Sequence, residues 1–190
     1  MKSKSNFVKN SFKIAFENYW KKKANLIYWH KRPKYIVRNR LFYEDGRVNI
    51  AYNCIQTNID RGLKNKIAVH LIDKNEKQTQ LSYQELDNLI NYFIHFLNKN
   101  YTKSELYSNI IAIHSSANLC SLISMLALMK MGITHSVFFN DLSHEAIKVR
   151  LKLSEWKKKG VLNLNETDAN KSLRAALILP DGNENSPAYL

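Results

Sequence analysis

Cysteine is scarce in this chain: Cys54 and Cys120 are the only two in 190 residues. That count excludes a disulfide scaffold and any zinc site needing three or four thiolates from one chain. Glycine (5) and proline (3) are also few. No Gly-rich phosphate cradle and no G-x-x-x-x-G-K-[ST] loop is present. Long apolar runs are missing too. The longest mainly apolar stretch, Leu119 to Met129, is too short to span a bilayer. Lys or Asn recurs every few positions through residues 1–30, so no secretory signal is expected and the expected location is cytoplasmic.

The remaining composition is that of a globular protein, with 45% hydrophobic and 24% charged residues. The length suits one domain, or one with a short appendage, and burial of roughly two-thirds of the unfolded surface. Acidic residues are the minority charge: 29 Lys+Arg against 16 Asp+Glu gives +13. The excess is local. Residues 1–50 carry 13 basic and 3 acidic side chains, whereas residues 51–150 carry 10 and 8. Two readings fit a basic N-terminus: compositional drift in a Lys-, Asn- and Ile-rich chain, or a functional basic surface.

Residues 7–23 have helical spacing, with Phe12, Ala15, Phe16, Tyr19 and Trp20 on one face. Pro33 ends any helix before it, and Tyr35 to Asn58 has no clean period, as in a segment that wraps over something else. From residue 66 strands and helices alternate. Ile67–Ile72 is suited to a buried strand, and Ser82-Tyr83-Gln84-Glu85 is a capping box opening a helix with Leu86, Leu89, Ile90, Phe93 and Leu97 on one face. Ile110–Ile113 is the next strand, and Leu119–Met131 a buried helix with Gly132 at its end. Ser136–Phe139 is a third strand, and Ser143 starts a helix through about Lys158. The order βαβαβα predicts a parallel sheet covered by helices. Ala175–Leu179 has the composition of one more strand, and the remainder of 153–190 is expected to be a weakly structured tail.

Residues with catalytic potential are thinly spread. His30, His70, His95, His114, His135 and His144 form no H-x-x-x-H or H-E-x-x-H pair. His135 and Ser136 are adjacent in a strand, so their side chains point to opposite faces and share no proton. Cys120 falls in an apolar helix and reads as an inert core thiol; for Cys54 two readings are open, a reactive thiol and, the favoured one, burial among Tyr52 and Ile55.

Three blocks resemble the N-terminal part of the AMP-forming acetyl-CoA and propionyl-CoA synthetases. Tyr19-Trp20-Lys21-Lys22-Lys23-Ala24 and Leu26-Ile27-Tyr28-Trp29-His30-Lys31 match an aromatic pair followed by a second Trp. Phe42-Tyr43-Glu44-Asp45-Gly46-Arg47-Val48-Asn49-Ile50-Ala51-Tyr52-Asn53-Cys54-Ile55 is similar to W-F-x-G-G-x-L-N-V-x-Y-N-C-L, the most specific of the three. Met125 to Phe139 aligns without gaps to M-L-A-C-A-R-I-G-A-V-H-S-V-V-F, and Leu81-Ser82-Tyr83-Gln84-Glu85-Leu86 fits L-T-Y-x-E-L. The resemblance runs from about Phe16 to Leu151.

It implies an α/β fold: a helical and irregular N-terminal extension over residues 1–60, then the truncated start of an AMP-binding (adenylation) domain over 61–152. In the intact family ATP, Mg and CoA serve the conversion of acetate or propionate to acyl-CoA through an acyl-adenylate. The family's Thr/Ser/Gly-rich loop ending in P-K-G and its adenylation lysine have no counterpart in these 190 residues. The family's Y-M-P-M-I-P-E is His114-Ser115-Ser116-Ala117-Asn118-Leu119-Cys120 here, its F-G-G turn is Phe139-Asn140-Asp141, and its D-R-H is Gln56-Thr57-Asn58. A family R-G-G-R stretch that meets CoA phosphates has only Leu173-Arg174-Ala175-Ala176 as a candidate, with neither glycine.

No catalytic, cofactor-binding or metal-binding residue is therefore assigned, and the chain alone is expected to be inactive and without cofactor. Two histories fit: one piece of a split synthetase whose second chain supplies the rest, or a remnant. The incomplete sheet favours partner contact, since its edge and apolar helix faces would otherwise meet water. The alternative class is a basic aromatic module for single-stranded nucleic acid, with Lys and Arg interleaved among Phe12, Phe16, Tyr19, Trp20, Tyr28, Trp29 and Tyr35.

Overall fold

The computed structural model describes residues 2–38, 41–73, 75–108, 110–138, 141–153 and 161–165. The chain divides into two compact units, Met1–Asn53 and Cys54–Leu190.

The first unit is built on helix α1, Lys2–Ala24, and a two-stranded antiparallel ribbon of β1 (Val37–Arg38) and β2 (Leu41–Phe42). The helix carries Lys21, Lys22 and Lys23 in its last turn, where cations offset the partial negative charge of the free carbonyls. Its aromatic face is only half covered: Ala15, Phe16 and Tyr19 are exposed, and Trp20 is partly buried. Order in Tyr35–Asn58 comes from the ribbon, from a bridge between Lys31 and Arg47, and from helical turns that begin at Ile50.

The second unit opens with two π-helical turns, Tyr52–Gln56 (which crosses the boundary) and Ile59–Leu63. Strands β3 (Ile67–Ile72) and β4 (Gln78–Ser82) follow, then α2 (Tyr83–Asn100), α3 (Lys103–Ser108), β5 (Ile110–His114), α4 (Leu119–Met131), β6 (His135–Phe138), α5 (His144–Leu153) and β7 (Val161–Asn165). The expected βαβαβα sheet is corrected at its first strand. Strand β3 pairs antiparallel with β4 in a separate hairpin, and only β6, β5 and β7 form the parallel sheet, in that order. The connection between β3 and β4 is too short for a parallel crossover, which needs a dozen or more residues. Asp73 closes it instead, its carboxylate accepting from the Asn75 amide (2.7 Å) and the Lys77 amide (2.9 Å). Strand β3 is consequently not a buried strand, with Ile67 46% and Ile72 64% exposed.

The core lies between α2, α4 and the sheet. Leu86, Leu89, Ile90, Phe93 and Leu97 of α2 pack with Cys120, Ile123, Ala127 and Leu128 of α4 and with Ile111 and Ile113 of β5. Helix termini follow their sequence signals. The Ser82 hydroxyl accepts from the Glu85 amide at 3.3 Å while the Glu85 carboxylate takes the Ser82 amide at 2.7 Å. Asn118 caps α4 through the Ser121 amide at 3.0 Å, and Gly132 ends it in the left-handed region, φ 72°. A second capping box, Thr102 with Glu105, opens α3, and the Thr102 backbone amide and hydroxyl, both donating to the Glu105 carboxylate, hold that carboxyl below its ordinary pKa. Strand β7 falls in the stretch expected to be weakly structured. Helix α5 begins after Ser143, whose hydroxyl accepts from the Ala146 amide at 3.2 Å. Its expected continuation to Lys158 and the expected strand Ala175–Leu179 lie outside the described residues.

Candidate functional site

The residues of the Phe42–Ile55 block assemble a turn. Tyr43 takes a positive φ of 53°, and the Gly46 amide returns to its carbonyl at 2.8 Å. Residue 46 lies under the Trp29 ring so closely that a β-carbon there would come within 2.5 Å of Cζ3. Trp29 is held from the other side as well, because its indole N–H donates to the Ala24 carbonyl at 2.7 Å and its ring meets Tyr43 at 5.3 Å. The Tyr43 hydroxyl donates to the Trp20 carbonyl at 2.8 Å, and burial pushes that phenol's pKa upward. Asp45 accepts the Lys34 amide on both carboxylate oxygens at 3.1 Å, and this bond above all lowers its pKa.

Asn49 and Asn53 complete the block. The Asn49 side chain accepts the Tyr52 amide at 2.9 Å and so opens the helical turn. Asn53 grips the Tyr28 backbone at both groups, accepting its amide at 2.7 Å and donating to its carbonyl at 3.0 Å. A side-chain amide used this way replaces one rung of a strand ladder. Cys54 is exposed, not buried among Tyr52 and Ile55 as expected: the helical turn directs Ile55 into the core and its neighbour outward.

Most of the described aromatic rings proposed for stacking on bases meet other rings, whereas Tyr35 is exposed with the Arg38 guanidinium over its ring at 5.3 Å. Phe16, Trp20 and Phe42 pack with centroids 5.2–6.3 Å apart, and Tyr28, His30 and Tyr52 form a second group at 4.7–5.3 Å. The Phe12 side chain lies outside the described residues.

In the second unit, His114 ends the central strand β5 and leads into Ser115-Ser116-Ala117-Asn118 at the start of α4. Ser115 is buried, with its hydroxyl 3.2 Å from the Ser116 carbonyl, and His114 Nε2 has no hydrogen-bond partner among the described residues. The His135 ring is 3.2 Å from the Ile133 carbonyl. Cys120 is buried, as expected. Between α2 and α4 the Lys130 ammonium meets Asp87 at 2.7 Å and Asn91 at 2.8 Å, and Asn91 donates back to Asp87 at 2.9 Å. That network joins two helices, and the carboxylate is already committed to a cation. Among the described residues no three His, Cys, Asp or Glu side chains converge to hold a metal ion. Arg174, the candidate considered for CoA phosphates, and the Phe139-Asn140 part of the altered turn lie outside the described residues. Among the described residues no helix is long and apolar enough to cross a membrane.

Fold and site together define a mixed α/β chain with small sheets, one of them parallel, whose distinctive residues hold backbone in place. In sequence it is homologous to the N-terminal region of the acetyl-coenzyme A synthetases. The enzyme of Cupriavidus metallidurans is 30% identical over 142 residues, which is 72% of this chain and 21% of that protein. That of Leptospira biflexa is 27% identical over 143 residues, again 72% and 21%. The chain thus spans about a fifth of the length of these curated relatives. No family profile matches it. Among solved structures, a Brucella canis acyl-CoA synthetase gives a TM-score of 0.49 at 15% identity, over 67% of this chain and 27% of that one. The N-terminal subdomain of Klebsiella oxytoca NpsA gives 0.45 at 16% identity, over 63% and 32%.

Proposed function

We propose that this chain is a structural N-terminal portion of a short-chain acyl-CoA synthetase, acting in the cytoplasm and carrying no adenylation chemistry of its own. One observation supports the reading above the others. The residues that carry the resemblance, Trp29, Gly46, Asn49 and Asn53, are occupied in fixing one turn and one helix start. Homology is therefore retained where the fold needs it.

In the intact family, ATP, Mg and CoA supply the reaction with acetate or propionate. Charge neutralisation around transferring phosphates is most of that chemistry, and it requires preorganised donors. The family's Thr/Ser/Gly-rich loop that offers them has no counterpart in these 190 residues. In this reading a second polypeptide brings the phosphate loop and the C-terminal lysine. It would cover the outer edges of the β6-β5-β7 sheet and the exposed apolar residues of β3.

Affinity purification of the tagged chain from its source cell, with mass spectrometry of its companions, tests this. The expected companion is a protein with a T-S-G-rich phosphate loop, recovered in constant ratio. Recovery of the chain alone removes the split-enzyme reading and leaves a remnant.

A further inference from the structure

We infer that a cleft within the N-terminal unit, between the last turns of α1 and residues 32–37, is a binding site for a small polyphosphate-bearing anion. The inference does not rest on the family reading. The cleft encloses about 480 Å³, inside the roughly 300–1,000 Å³ of small-molecule sites. Lys21, Arg32 and Lys34 line it, and Glu17 is the one carboxylate in its walls. Glu17 is directed toward Lys13, 4.0 Å away. Among the described residues, none of the three lining cations is in an ion pair.

Three like charges around one concavity repel each other, and their summed field concentrates in the cleft. Lys21 alone has a structural explanation, since it belongs to the last turn of α1 and offsets the helix dipole. Arg32 and Lys34 follow the helix and have no such task. Arg32 is also oriented: one guanidinium nitrogen donates to the Asn25 side-chain oxygen at 2.8 Å, leaving its remaining N–H groups to a ligand. The loop is fixed where Asp45 holds the Lys34 amide, so the Lys34 side chain projects from anchored backbone. The Asp45 carboxylate, which meets that segment, is occupied by the Lys34 amide. A guanidinium fork beside two ammonium groups matches the oxygens of adjoining phosphates.

Isothermal titration of the full chain with inorganic triphosphate, at low salt, tests the site. Saturable one-site binding is expected, weakened roughly tenfold or more in the triple variant Lys21→Gln, Arg32→Gln, Lys34→Gln. A second triple, Lys22→Gln, Lys23→Gln, Lys77→Gln, loses the same net charge at residues that do not line the cleft and is expected to keep its affinity. Lys21→Arg with Lys34→Arg should bind as the parent does, which separates lost contacts from lost folding. Parallel titration with ADP shows whether a nucleoside adds affinity to the shared phosphate contact. Absence of saturable binding, or equal loss in both neutralised triples, overturns the site. So does a single-stranded oligonucleotide that binds through the same three residues and is not displaced by triphosphate.

Discussion

Gly46→Ala is expected to destabilise the N-terminal unit by about 2 kcal/mol, within the usual cost of overpacking. The added methyl would lie 2.5 Å from Trp29 Cζ3 and 3.1 Å from the Tyr43 carbonyl oxygen. Neither neighbour moves freely. The indole is tied to the Ala24 carbonyl and packed on Tyr43, and the Tyr43 carbonyl already accepts the amide of residue 46. Urea unfolding followed by tryptophan fluorescence measures the loss. Coupling makes the cause specific: in a Trp29→Ala background the same Gly46→Ala change should cost less than about 0.5 kcal/mol, because the clash partner is gone. An unchanged cost in both backgrounds would place the strain elsewhere.

The second large effect belongs to the Asp87–Lys130 pair. Lys130→Met is expected to cost about 2 kcal/mol, below the roughly 3–5 of a fully buried pair. The discount follows from exposure, since the Lys130 side chain is 28% accessible and that of Asp87 11%. What is lost is the cation that holds a nearly buried carboxylate between α2 and α4. Asp87→Leu combined with Lys130→Met should recover most of the loss, because no charge then remains without its partner and Asn91 is exposed to water. Chemical denaturation of the two singles and the double forms the cycle. A double variant as unstable as the sum of the singles would contradict a desolvation origin.

The helix ends and the helical core were legible because their signals are local. Ser82 with Glu85, Asn118 before an apolar run, and Gly132 after it each specify one backbone state within a few residues. The spacing of Leu86, Leu89, Ile90, Phe93 and Leu97 likewise specifies a buried face. Strand pairing was not legible to the same degree. Gln78–Ser82 is polar, and its strand character comes from the partner β3 and the Asp73 turn, neither of which is visible as an apolar run. Val161–Asn165 alternates Leu with Asn, a period-two signal masked by the polar residues after it, and its place beside β5 is a non-local fact. In the candidate site the Asn-Tyr-Asn-Cys motif was visible, but its use was not. Trp29 and Gly46, or Tyr28 and Asn53, meet only through tertiary contact, so spacing alone could not tell a backbone clamp from a catalytic amide.

The most direct test of the central claim is acetate- or propionate-dependent ATP–pyrophosphate exchange by the purified 190-residue chain with Mg present. The account predicts no exchange above a heat-killed control, since the family's phosphate loop and adenylation lysine have no counterpart in these 190 residues. Clear carboxylate-dependent exchange by the chain alone would contradict it.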